Sequence, residues 1–184
     1  GWIGSETTEE KEEILGVMSS FALGFNNENT SDLSTVKDGW RGFKADALNL
    51  SLNIPAEWVL VSDEDAETDF IFAASDINDN VSRLHIAAYS KSSVTGAKEL
   101  AESDFAMNKR TINEGITTFT NVNDQNHTGF TSYGYTFEIA ATNYKQFNKD
   151  IFFEKGDYVY NISIAVKDKQ RDYVSKIINS IKVS

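Results

Sequence analysis

The sequence predicts an α+β fold: an antiparallel β-sheet layered between α-helices, with an extra amphipathic helix at the N-terminus. Three observations carry that prediction. Stretches of period-two alternation recur from Trp40 to Val166, the pattern of strands with one face in a core. The gaps between later stretches, "NDQNH", "ATN" and "KGD", are shorter than the roughly dozen residues a parallel crossover needs, so neighbouring strands pair antiparallel. Two stretches of helical spacing, one mid-chain and one at the end, must then cover sheet faces.

The chain opens with an element of its own. Thr7 and Glu10 form a capping box, Glu9, Glu12 and Glu13 favour the positive end of a helix dipole, and Ile14, Val17, Met18, Phe21 and Phe25 follow helical spacing. This predicts a helix over Thr8 to Leu23, stopped by Gly24. Asn26 to Gly39, rich in Asn, Ser, Thr and Asp, has the composition of a loop or linker. The expected division is an N-terminal helix and linker, 1–39, followed by an α+β domain, 40–184.

Within that domain Phe43 and Ala45, then Leu48, Leu50, Leu52 and Ile54, alternate with polar residues. A slip of phase at Ala47 and Leu48 predicts a turn or bulge between two strands. Pro55 is the only proline; it lacks a ladder donor and ends the strand, which lets Trp58 fold back over the core edge. "FIFAAS" and "SRLHIAAYS" read as strands joined by the turn formers "DINDN". "TGAKELAESDFAMNKR" is helical, with Ala97, Leu100, Ala101 and Phe105 on one face. Aromatic strands follow: Tyr133, Tyr135, Phe137 and Ile139 share one face, as do Tyr158, Tyr160, Ile162, Ile164 and Val166. A closing helix is expected behind an Asp168 cap, with Tyr173, Val174, Ile177, Ile178 and Ile181 as its apolar stripe.

Composition narrows the function classes. Its 184 residues, 40% hydrophobic, suit one sizeable core. A net charge of -11 opposes nucleic acid and anionic membrane surfaces, so neither is an expected partner, and it favours a self-repelling monomer. With no cysteine there is no disulfide, thiolate chemistry or cysteine-held zinc. No apolar run reaches the roughly 20 residues of a membrane helix. The chain starts at Gly1 rather than Met, as expected of one from which an export signal or anchor has been removed.

No catalytic or cofactor-binding constellation emerges, and the expected catalytic, cofactor and metal residues are none. "DINDNV" places Asp76, Asn78 and Asn80 at calcium-loop spacing, but Val81 replaces the glycine and Ala87 the closing glutamate, so a hairpin turn is expected. Asp63, Asp65, Glu67 and Asp69 alternate along "DEDAETD" and read as a solvated acidic loop. His85 and His127 stand far apart; the first is expected to be a half-buried packing residue, the second a turn residue. Ser132 in "GFTSYGY" lies in a strand rather than at a nucleophile elbow. Tyr133, Tyr135, Tyr144, Tyr158 and Tyr160 line core faces rather than a ligand groove. The sequons at Asn80 and Asn161 carry no weight. Scattered Asp and Glu leave a hydrolase or carbohydrate-acting enzyme with a carboxylate pair as an alternative.

An alternating strand running into "NIPAEW", a mid-chain amphipathic helix, a meander of aromatic strands, and "GDYVYNISIAV" followed by "YVSKIINSIKV" resemble the PsbP-like family. The resemblance covers Trp40 to Ser184 and rests on that order and on Pro55, Trp58, Gly156, Tyr160, Ile177, Ser180 and Ile181. It implies an α/β/α sandwich. Its members include a photosystem II extrinsic subunit, a yeast Ran-release factor and bacterial exported lipoproteins, with no shared catalytic motif. The implied role is a non-catalytic binding or assembly module, extracytoplasmic and bacterial, with an unidentified protein or small-ligand partner. A cytoplasmic partner of a GTPase is the alternative. The resemblance is silent on the N-terminal helix.

Overall fold

A computed structural model describes residues 31–62, 68–111, 116–140 and 144–184. The expected N-terminal helix and most of the acidic loop, Asp63 to Glu67, lie outside the described residues.

The chain enters as a strand where a linker was expected. β1 (Ser31–Leu33) pairs antiparallel with β2 (Trp40–Ala45). Its polar composition is tolerated because it is a short edge strand with one side in water. β2 passes through a single 3-10 turn (Asp46–Leu48) into β3 (Leu50–Pro55). This turn is the phase slip read at Ala47 and Leu48. Asn49 closes it in the left-handed region at φ 50°, which asparagine tolerates, and Leu48 drops into the core. The last strand, β12 (Lys182–Val183), joins β3 from the other side, giving a four-stranded sheet in the order β1-β2-β3-β12.

Pro55 ends β3 as expected, and Trp58, fully buried, begins β4 (Trp58–Ser62) in a second sheet. The proline thus marks the change of sheet. The remaining strands are β5 (Asp69–Ala74), β6 (Arg83–Ser90), β7 (Ile116–Phe119) and β8 (Asn123–His127). They continue as β9 (Phe130–Ala140), β10 (Lys145–Lys155) and β11 (Tyr158–Lys167). Every pair is antiparallel, in the order β4-β5-β6-β11-β10-β9-β7, with β8 also on β9. "NDQNH", expected as a turn, is therefore a strand. It reads as polar because it lies at the margin of the sheet, and the reversal is made by the next two residues, with Gly129 at φ 94°.

Two α-helices complete the described residues, α1 (Ala97–Thr111) and α2 (Arg171–Ser180). Asp168 does not cap α2: a 3-10 turn (Asp168–Gln170) intervenes, and its carboxylate accepts a hydrogen bond from Arg171 Nε at 2.5 Å instead. Ile181 lies just beyond the helix in extended conformation but stays buried with the rest of its stripe.

The main core lies on one face of the large sheet, here the inner face. The small sheet and α2 both press on it, so that Phe43 and Ile177 share a cluster with Phe72, Ile86 and Ile162. The Phe43 ring meets Phe70 and Phe72 edge-on at 5.1 and 4.9 Å. Arg41 of β2 donates to the Trp58 carbonyl of β4, and Tyr160 Oη of β11 donates to the Leu48 carbonyl at 2.7 Å. These bonds tie the two sheets together across an otherwise apolar layer.

Ile177→Ala is expected to destabilise the protein by about 2–5 kcal/mol, a large share of a typical total of about 5–15. An unshifted urea midpoint would show that α2 is not docked. Tyr160→Phe strands the buried Leu48 carbonyl and should cost about 1–3 kcal/mol in the same measurement; no loss would mean that this carbonyl finds another partner.

Candidate functional site

The opposite, outer face takes the alternate residues of each strand, and the pairing register sets them in rows. The middle row runs Ile71, His85, Ser163, Asp150, Tyr135 from β5 to β9. The rows beside it run Ala73, Arg83, Ala165, Asn148, Phe137 and Asp69, Ala87, Asn161, Phe152, Tyr133. A line of polar groups therefore crosses a face that a purely apolar core would not need.

α1 covers the β9 and β10 end of these rows. Ala97 and Ala101 pack with Phe152, Val159 and Tyr135, while the Phe105 ring stands edge-on to Tyr135 at 5.3 Å and to Phe119 at 5.5 Å. Among the described residues no helix packs on the β4, β5 and β6 end, where Val59, Val61 and Tyr89 are 37%, 39% and 39% exposed. Val61 sits at an irregularity in the β4–β5 pairing, between Leu60 and Ser62.

The polar line passes from under α1 to this open end. Tyr135 Oη donates to Asp104 Oδ2 at 2.5 Å and accepts from Asn108 Nδ2 at 2.5 Å, which anchors α1 to β9. Asp150 is buried beside them and hydrogen-bonded to Ser163 and Tyr135. Burial raises its carboxyl to about 7, helped by the charge of Asp104 and opposed by the two hydrogen bonds and by Arg83. Tyr135 has one proton to give, and it goes to Asp104, while Asn108 donates to the same oxygen. Burial and the neighbouring Asp150 push the Tyr135 hydroxyl upward too, so it stays protonated. At the open end His85 Nε2 lies 2.7 Å from Asp69 Oδ1. Burial and the charges of Asp69 and Asp104 raise the Tyr89 pKa.

The residues weighed from sequence separate widely. The Asp76 turn closes on itself: Asp76 Oδ1 accepts from Asn78 N at 2.9 Å, while Asp79 turns inward to accept from Ser82 N at 3.0 Å and Ser82 Oγ at 2.8 Å. Those carboxylates are occupied by the hairpin. His85 is half-buried, as expected. His127 corrects the expectation of a turn residue: it belongs to β8, with Nε2 2.9 Å from Ser132 Oγ and its ring stacked on Phe130. That pairing lacks the chemistry of a nucleophile and base. Ser132 is fully buried, and the nearby charge is Lys149, which together with burial lowers the His127 pKa where a triad carboxylate would stabilise its cation. Tyr133 and Tyr135 lie with the α1 cluster, Tyr158 and Tyr160 with the main core, and Tyr144 is exposed. The tyrosines form no common groove. Among the described residues no three His, Asp or Glu side chains gather as a metal set.

Asp150, Asp104, Asn108 and Ser163 were not singled out from sequence. The available signal was a carboxylate flanked at alternate positions by Asn148 and Phe152 within an aromatic strand. Only the register shows that Ser163 and Tyr135 stand on either side of it.

No family model matches the chain, and no curated protein matches it. Among solved structures it is similar to the cyanobacterial PsbP (CyanoP) of Synechocystis sp. PCC 6803, at a TM-score of 0.57 and 10% identity, over 86% of this chain and 100% of that one. The fold is PsbP-like. The same PsbP-like arrangement relates it to the Ran-binding protein Mog1p of Saccharomyces cerevisiae, at a TM-score of 0.50 and 10% identity over 84% of this chain and 96% of that one. A Bacteroides thetaiotaomicron VPI-5482 protein matches at 0.51 and 11% identity over 78% of this chain, which spans about half, 48%, of that protein's length.

Asp150 gives this PsbP-like sheet a signed pH response. Its folded pKa, about 7, exceeds the ordinary 3.8, so its contribution to stability is complete below the unfolded value and is lost as pH rises towards 7. Asp150→Asn should flatten the fall in unfolding free energy between pH 4 and 8 by up to about 4 kcal/mol, the equivalent of roughly three pKa units. Denaturant titrations at several pH values check this, and an unchanged slope would show that Asp150 is already ionised.

Proposed function

We propose that this chain is a non-catalytic binding or assembly module of an extracytoplasmic bacterial protein, and that its partner is another protein. In this reading residues 40–184, with β1 added at the edge of the small sheet, form the helix-layered sandwich that binds, and the residues before Ser31 supply an N-terminal helix and linker. The observation that carries the proposal is the open end of the outer face. An apolar margin of Val59, Val61 and Tyr89 there borders the Asp69–His85 pair, the mixture of apolar surface and oriented polar groups found at protein interfaces. A PsbP-like fold shared with a Ran-binding protein supports a binding role.

The carboxylate-enzyme alternative is disfavoured by the same geometry. Among the described residues Asp104 and Asp150 feel each other's charge, but the fully buried Tyr135 donates its hydroxyl to Asp104 beside Asp150, where a scissile bond and its water would need room. The cytoplasmic GTPase-partner reading uses the same binding role and differs in compartment; fractionation of cells that produce the protein separates the two.

A photoreactive residue at Tyr89, introduced in cells of the source organism, is expected to yield a discrete protein adduct that the same residue at Lys182, on the small sheet, does not. Equal adducts from both positions, or none from Tyr89, would remove the open end as a binding face.

A further inference from the structure

The inner face of the large sheet changes character at β10, and we propose that Lys149, which stands at that change, anchors a binding site for a small organic carboxylate. The site is on the opposite face from the open end described above, so it is separate from the protein-binding surface proposed there.

Lys149 alternates along β10 with Phe147, Ile151 and Phe153, which all pack in the main core cluster. The pairing sets it between Ile164 of β11 and Thr136 of β9. On the β11 side the face is apolar. On the β9 side it carries Ser132, Gly134, Thr136 and Glu138, and β8 adds Asn123 and Gln125 opposite Gly134 and Ser132. The Thr136 hydroxyl lies 3.1 Å from that of Thr120. The lysine is thus rooted in the apolar layer beside a margin of hydroxyls and amides.

What it lacks is a counter-ion. Lys149 is the one buried lysine among the described residues, at 6% exposure, and within them no hydrogen bond or ion pair reaches its ammonium. Asp150, next along the strand, is on the outer face and bonds to Ser163. Glu138 is diagonal to Lys149 on the inner face, yet its carboxylate lies 2.7 Å from Arg171, whose guanidinium also covers the Phe147 ring at 4.5 Å. A chain with 28 acidic residues therefore leaves this cation unpaired. Burial lowers its pKa, opposed by the charge of Asp150. Holding an ammonium there without an anion is costly, and a bound anion offsets the cost.

The ammonium is within reach of a ligand. Among the described residues the unpartnered side-chain atoms sealed from solvent are Arg41 Nε and Trp58 Nε1; Lys149 Nζ, equally unpartnered, is not one of them and so meets solvent at its tip. An opening that exposes so little of the residue admits a small ion and not a folded surface. Charge selects the class. One carboxylate balances one ammonium, whereas a phosphate dianion would leave excess negative charge near Glu138 in a chain of net charge -11. With one carboxylate oxygen on the ammonium, the other can accept from the Thr136 or Thr120 hydroxyl.

The full-length protein, isotope-labelled at lysine Cε, is titrated with acetate at constant pH and ionic strength, and the Lys149 resonance is assigned by its loss in Lys149→Met. That resonance is expected to move and saturate, while the resonance of Lys182, exposed on β12, stays in place. Bound acetate should also raise the urea midpoint. In Lys149→Met the same rise should need at least about tenfold more acetate, the loss expected for one hydrogen bond to a charged group; Lys182→Met should respond as the native chain does. If the methionine variant does not fold, Lys149→Arg supplies the assignment and the native titration decides. A Lys149 resonance that does not move overturns the proposal, and so does one that moves equally with chloride or inorganic phosphate, which would assign a general anion effect. Neither readout involves Tyr89, so the result stands whatever the adduct experiment shows.

Discussion

The inner face of the large sheet is the surface on which everything else depends, because two unrelated covers must share it. A four-stranded sheet and α2 together bury one continuous cluster, and neither alone is wide enough to shield a sheet of eight strands. Sharing creates a seam, and the seam has polar requirements. Leu48 ends a turn at that seam, with its carbonyl facing the large sheet; without the Tyr160 hydroxyl it would sit unpaired in an apolar layer. Trp58 fills the corner where the chain changes sheets, and Pro55 makes the change abrupt by refusing the ladder. The position of a single proline is thus a consequence of a two-cover core.

The outer face follows a different logic. Its covered half is held by aromatic packing together with a hydrogen-bonded string from Asn108 and Asp104 to Tyr135 and Asp150. Such a string contributes little to net stability and can oppose it, since each buried polar group must first lose water. What it supplies is placement: the Tyr135 hydroxyl recognises one position along α1, so the helix cannot slide along the sheet as an all-apolar face would permit. Gly134 belongs to the same arrangement. A side chain there would meet the Asp150 backbone oxygen at 2.3 Å, so β9 can approach β10 closely only without one.

Much of this was legible in the sequence where periodicity and burial coincide. The Tyr158 to Val166 stripe, the Ala97 to Phe105 face and the closing isoleucines all lie where their spacing placed them, because each has one face in a core and the pattern records it. The failures share a cause. β1 and β8 are edge or marginal strands of loop composition, and their pairing partners are far away in the pattern or hidden in a hairpin. Asp168 looked like a cap because it stands at the right distance before an apolar stripe, but Arg171 competes for its carboxylate. The candidate site was the least legible of all. A row across five strands is a property of register, and register is decided by every hairpin at once rather than by any local run of residues.

The small sheet draws its strands from opposite ends of the described chain. β12 closes against β3, and Ser180 receives the Asn53 amide across 127 residues of sequence. Nearly the whole protein must therefore be available before that layer can be completed. Until then the apolar inner face of the large sheet has no lid. Non-local closure of this kind slows folding relative to helical proteins of similar size, and it makes a nascent or newly unfolded chain sticky for the same interval. The architecture that gives the mature domain a two-cover core thus also sets the period in which it needs protection from its neighbours.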